Sequence, residues 1–142
     1  MKERLEFRLS GQLDQALLDP ATKTLNADKV VGRWVNTTTE TKSVAEILIE
    51  QEGDRFYASV RAIGDGKLIS WPRASATPLA NLEEEAGQRA LAFAATFDLG
   101  FMNVETYIRT NKGVLVIVTY HTFLDGSGRA NYVNREFFYR VA

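Results

Sequence analysis

The chain has 142 residues, a length that suits one domain able to bury its own core. Its 17 Lys and Arg nearly balance 18 Asp and Glu, leaving no basic excess for nucleic acid and no acidic tail. Cysteine is absent, which excludes disulfides, a thiolate nucleophile and a cysteine metal site.

The chain opens with strict alternation, Leu5, Phe7 and Leu9 against Arg4, Glu6 and Arg8. That period of two predicts a half-buried strand, and the interleaved charges are unlike a signal peptide. Leu13, Ala16 and Leu17 then recur at helical spacing and stop before Pro20, which predicts a short helix. Residues 19 to 29 are polar and carry turn formers, so residues 1–29 read as an N-terminal extension and 30–142 as the main body. No run approaches the ~20 apolar residues needed to span a bilayer, and the expectation is a cytoplasmic protein.

From residue 30 the pattern is uniformly β. Strands are predicted near 31–37, 44–51, 55–63, 73–80, 89–98, 101–110, 113–124 and 130–141. Turn signals separate them: Glu52-Gly53-Asp54, Gly64-Asp65-Gly66, Gly100, Asn111-Lys112-Gly113 and Asp125-Gly126-Ser127-Gly128. Nearly every link is short, so the strands form an antiparallel meander. A meander that closes on itself leaves no exposed edge. The predicted fold is therefore all-β, a single antiparallel up-and-down barrel of about eight strands with the N-terminal extension packed on it or on a partner.

Gly32-Arg33-Trp34, at the start of the first barrel strand, resembles the Gly-x-Trp signature of the calycin superfamily, which includes lipocalins, fatty-acid-binding proteins and avidins. The resemblance covers residues 30–142. It implies that Trp34 sits at the closed end of the barrel and that an arginine near the end of the last strand packs across it and caps backbone carbonyls. Arg140 matches that arginine, and Gly32, Trp34 and Arg140 then form a structural latch. Arg135 is about five residues away, some ~17 Å along a strand, and fits less well. The arginine–x–tyrosine carboxylate clamp of fatty-acid-binding proteins is not repeated, since Arg135 is followed by Glu136 and Phe137. Their lid helices have only Thr38–Ser43 to occupy. The haem-binding nitrobindin branch begins with further glycines where this chain has Asn36 and Thr38, so no haem or other cofactor is expected.

Candidate chemistry is sparse. His121, the only histidine, ends a strongly apolar strand and suits either a structural position or a ligand contact. Arg61, Arg109 and Arg135 lie within strands and suit an outward, solvated position or an anionic head group in the barrel. Trp71, after the Gly64–Lys67 loop, resembles an aromatic at a barrel mouth, which either contacts a ligand or packs under that loop, and Tyr107 suits the cavity lining or a polar partner of His121. Glu105 and Glu136 lie in β patterns, and one of them pointing inward is compatible with the alternation. The Glu83-Glu84-Glu85 run reads as a solvated turn. The ligand-binding candidates are thus Arg61, Trp71, Tyr107, His121 and Arg135. No catalytic residue or metal site is predicted.

Residues 113–124 are apolar on both faces, with Leu115, Ile117 and Phe123 against Val114, Val116, Val118 and Tyr120. A barrel wall with a wet outside alternates. Burying three valines is worth on the order of 5 kcal/mol, so this outer face calls for a cover, either the N-terminal extension or a second copy in a homodimer. The functional expectation is a lipocalin-like barrel that binds a small, mostly apolar molecule. The aromatics Phe56, Tyr57, Phe93, Phe97, Tyr107, Tyr120, Phe137 and Phe138 are available to line its cavity. The alternatives are a small calycin-like enzyme of isomerase, decarboxylase or chromophore-handling type, with His121 partnered by Glu105, Tyr107 or Arg135, and a solid-cored structural or interaction module.

Overall fold

A computed structural model describes residues 26–80 and 89–141. The predicted N-terminal strand and helix, and the Glu83-Glu84-Glu85 run, lie outside the described residues. The described chain forms nine strands: β1 (Gly32–Asn36), β2 (Val44–Glu52), β3 (Arg55–Gly64), β4 (Lys67–Ser70), β5 (Ala74–Ala80), β6 (Ala90–Asp98), β7 (Met102–Asn111), β8 (Val114–Phe123) and β9 (Tyr132–Val141). No helix among the described residues is long and apolar enough to cross a membrane.

The sheet closes. β1 pairs antiparallel with both β2 and β9, and the neighbours β2–β3–β5–β6–β7–β8–β9 lead back to β1. The ring has eight strands, as the meander predicts, and β4 is a ninth outside it.

That extra strand is the main departure from the sequence reading, which places no strand between residues 63 and 73. Asp65 and Gly66 both have positive φ, 52° and 74°. This is the two-residue hairpin geometry that folds a chain straight back on itself. Lys67–Ser70 therefore pairs with Arg61–Gly64, while Phe56–Ala58 pairs with β5 further down the same edge. Trp71 still donates its backbone N–H to the Val60 carbonyl at 2.9 Å. Pro72 has no N–H to continue the ladder, and the strand breaks there. The β7–β8 turn uses the same device, with Lys112 and Gly113 at φ 54° and 84°.

The alternation of each strand divides inside from outside. The closed half of the barrel is filled: Val30, Trp34, Ile47, Ile49, Phe56, Phe93, Leu115 and Phe138 are all essentially inaccessible. Phe56 and Phe93 meet with ring centroids 5.0 Å apart. Of the eight aromatics named as possible lining, Phe56, Phe93, Phe97 and Phe138 turn inward and are buried, whereas Tyr107, Tyr120 and Phe137 are exposed and Tyr57 is half-buried on the outer face beneath Arg73.

The closed end is fastened at one rung. Trp34 and Arg140 are direct partners across β1 and β9. The Arg140 guanidinium lies 4.7 Å from the Trp34 ring centroid and donates to the carbonyls of Lys29 (2.6 Å) and Asp28 (3.3 Å). The Trp34 indole N–H donates to the Val30 carbonyl at 2.8 Å, which satisfies its one polar atom in the core. Gly32 has φ 142°, and a Cβ there would come within 3.3 Å of the Arg140 guanidinium.

Candidate functional site

The mouth opposite Trp34 is open. A cavity of about 860 Å³ enters there, bounded by the Thr38–Ser43 connection, the ends of β3 and β4, the β6–β7 turn and the mouth ends of β8 and β9. That volume lies within the range of roughly 300–1,000 Å³ usual for small-molecule sites.

The two sides of the cavity differ in chemistry. Ala62, Ile63, Ile69, Trp71, Leu99 and Met102 supply apolar surface from β3, β4 and the β6–β7 turn. Trp71 is held by an edge contact to Phe97, with centroids 5.2 Å apart. The other side is polar and comes from β8, β9 and the Thr38–Ser43 connection. The register explains it. His121 pairs with Tyr132, Thr119 with Asn134 and Ile117 with Glu136. These rungs put His121, Tyr132, Asn134 and Glu136 in a column that descends from the mouth toward Phe138.

Glu136 is the deepest charge in the column. One of its oxygens, Oε2, accepts from Asn36 Nδ2 at 2.9 Å and from the Thr41 hydroxyl at 3.2 Å. Asn36 is 3% exposed, and every arm of its amide is used: Nδ2 also donates to the Val44 carbonyl (2.8 Å), and Oδ1 accepts from the Thr38 N–H (2.8 Å). Asn36 thereby holds the start of the connection and the carboxylate together. Asn134 adds a longer bond to the Ser43 hydroxyl, 3.3 Å.

His121 lies nearer the mouth and is 3% exposed. Its Nε2 is 2.8 Å from the Thr119 hydroxyl, and the Tyr132 ring stacks on it at 4.0 Å with an interplanar angle of 7°. Its other nitrogen, Nδ1, is buried without a partner, which is true of no other buried side-chain nitrogen or oxygen among the described residues. Buried polar atoms are nearly always paired, so such an orphan marks a place where a partner is missing. Burial pushes the imidazole below its ordinary value of 6.5, while the charge on Glu136 pulls the other way. Burial also raises the Tyr132 phenol above 10.0, against a smaller lowering by Arg129.

The structure brings Trp71 and His121 to the cavity and leaves the other three candidates outside it. Arg61 alternates with the buried Val60 and Ala62, turns outward and pairs with Glu46 at 2.6 Å. Tyr107 lies between the buried Thr106 and Ile108 and faces out. Arg135 is exposed between the inward Asn134 and Glu136, its guanidinium 5.5 Å from the Phe137 ring centroid. Arg109 is exposed as well. The partnership of His121 with Glu105, Tyr107 or Arg135 is therefore not assembled: Glu105 is exposed and Glu136 is the inward carboxylate.

Sequence reasoning missed Asn36, Thr41, Thr119, Tyr132 and Asn134. A signal for the β9 members was present. Once Arg140 is set against Trp34, the period of two sends residues 138, 136, 134 and 132 to the same face. Among the described residues, no group of three or more His, Asp or Glu gathers to hold a metal. No protein family, curated protein or solved structure matches this chain.

Proposed function

We propose that the chain is a calycin-type, lipocalin-like barrel that binds a small molecule with a largely apolar body in the cavity opposite the Trp34 latch. The observation that carries this reading is the two-sided cavity, apolar at Trp71 and Ile69 and polar at His121 and Glu136, with the unpartnered His121 Nδ1 on its polar side. A barrel that served only as a solid scaffold would fill both halves alike, and here only the closed half is filled. The calycin relationship is supported by Gly32-Arg33-Trp34 and by the Arg140 contact across it.

Native mass spectrometry of the freshly purified chain tests the reading, together with titration of an apolar fluorescent dye read through Trp71. A co-purified small molecule, or saturable one-to-one dye uptake that perturbs Trp71 and is lost in I69W, is expected. Absence of both would return the chain to the solid-module class.

The outer wall favours a second copy of the chain as a partner. Tyr120 and Val133 are paired across β8 and β9, as are Val116 and Phe137. Tyr120, Val133, Phe137 and Tyr139 are 51%, 60%, 42% and 46% exposed. Contiguous apolar surface of this kind marks contact sites. Glu105 and Arg135 give the face both signs of charge, which suits two-fold self-pairing. Sedimentation of the wild type and of V133E/F137R tests it: a dimer that becomes a monomer supports the pairing. A monomeric wild type whose N-terminal extension resists protease would assign the cover to residues 1–25, which lie outside the described residues.

A further inference from the structure

The identity of the polar head group can be argued further from the charges in the cavity, on the footing that the cavity is a ligand site. Among the described residues, Glu136 Oε2 takes both of the hydrogen bonds that the carboxylate receives; Oε1 has no partner among them and is not sealed from solvent. The donors on Oε2 are a neutral amide and a hydroxyl, and no Lys or Arg among the described residues forms an ion pair with this carboxylate. Glu136 is half-buried in the cavity wall, and a carboxylate drawn partly out of water gains from a cationic partner. Among the described residues it has no counter-ion.

The rest of the lining agrees. Asp98 and Glu40 add two more acidic groups toward the rim, against one lysine, Lys42. Trp71 and Phe101 are among the lining residues, and aromatic rings attract cations. His121 belongs to the same polar wall, its Nδ1 buried and unpaired. In the tautomer that places its proton on Nε2, toward Thr119, this nitrogen is an acceptor.

We infer that the cavity selects an organic ammonium ion: an amine on a compact apolar or aromatic body, its N–H groups on Glu136 Oε1 and its body against Trp71. A free carboxylate ligand is disfavoured by the same charges, because it would meet Glu136, Asp98 and Glu40 against the single lysine Lys42.

The test is a calorimetric titration of the full-length chain with three probes of similar shape at neutral pH: phenethylamine, phenethyl alcohol and hydrocinnamate. The expected order is amine, then alcohol, with the carboxylate unbound. E136Q, which keeps size and an acceptor oxygen, is expected to weaken the amine about tenfold or more and the alcohol much less, so that the amine preference is lost. An alcohol that binds as tightly as the amine in the wild type would overturn the ammonium assignment and leave the cavity reading standing. So would an E136Q chain, folded by circular dichroism, that keeps the amine preference. The wild-type ranking decides the matter even if E136Q does not fold. Binding of none of the three, with no dye uptake, would remove both the assignment and the cavity reading.

Discussion

Arg140 covers the ring of Trp34 from the strand beside it, its guanidinium 4.7 Å from the ring centroid and 2.6 Å from the Lys29 carbonyl. One side chain thus ties the last strand to the segment that leads into the first. The latch closes the barrel at the end remote from the cavity. Trp34→Ala is expected to cost ~3–5 kcal/mol, as truncation of a buried aromatic does. Ligand-probe affinity of the surviving folded protein should be nearly unchanged. Denaturant unfolding and dye titration on the same preparation check both. Collapse of binding with stability retained would show that the latch serves the site directly.

Gly32→Ala addresses the same latch through the backbone. At φ 142° an L-residue is strained, and its Cβ would press on the Arg140 guanidinium from 3.3 Å. A loss of about 1–3 kcal/mol is expected from the conformation. Combining it with Arg140→Met should cost less than the sum, because the crowding partner is gone. A double-mutant cycle of unfolding free energies reads this; strict additivity would separate Gly32 from the latch.

Asn36→Leu removes the buried amide that joins the Val44 carbonyl, the Thr38 N–H and Glu136. Orphaned buried partners cost about 1–3 kcal/mol in total stability. The Thr38–Ser43 connection should also lose its anchor. Hydrogen exchange at the Thr38 amide is the direct measure: protection equal to wild type would mean that Asn36 does not hold the connection.

His121 makes stability depend on pH. Its imidazole is held below the ordinary 6.5, chiefly by burial. The unfolded chain therefore takes up this proton at a higher pH than the folded chain. Its contribution is fully present above about 6.5 and is lost as pH falls toward the lowered folded value. His121→Gln should flatten the fall in melting temperature on that acidic side. An unchanged slope in the variant would assign the dependence to other groups.

Asp125 acts in a lower window. Hydrogen bonds from Ser127, with a smaller part from Arg129, pull its carboxyl from 3.8 down to about 2. The folded pKa is depressed, so the order it lends the β8–β9 turn is present above the ordinary value and is lost as pH falls through about 2. Carbon-detected NMR titration of the side chain is expected to show the low midpoint in wild type and a return toward 3.8 in Ser127→Ala. A midpoint near 3.8 in the wild type would contradict the turn geometry.

Strand periodicity, turn chemistry and the Gly-x-Trp start were enough to read the ring of strands and the juxtaposition of Trp34 with Arg140. Each of these is a local pattern. Arg61, Tyr107 and Arg135 looked suitable because the side-chain type is visible in the sequence and the facing of its strand is not. Their neighbours decided the matter: Val60 and Ala62, Thr106 and Ile108, and Asn134 and Glu136 turn inward, so the residues between them turn out. β4 was hidden for a different reason. All four residues of Lys67–Ser70 are exposed, so no alternation of buried and exposed positions marks the strand.

By itself the sequence determined an all-β chain with short antiparallel links, a closing rung at Trp34 and an outer wall too apolar for a simple wet barrel. Alternation and turn residues act within a few positions, so they can be read from the chain alone. Only the tertiary structure decided what the cavity contains. Asn36 meets Glu136 across 100 residues, and Thr41 meets the same carboxylate across 95. That meeting follows from the register in which the first and last strands pair once the ring shuts. A shift of one residue would have sent Glu136 to solvent and Arg135 or Phe137 to the interior.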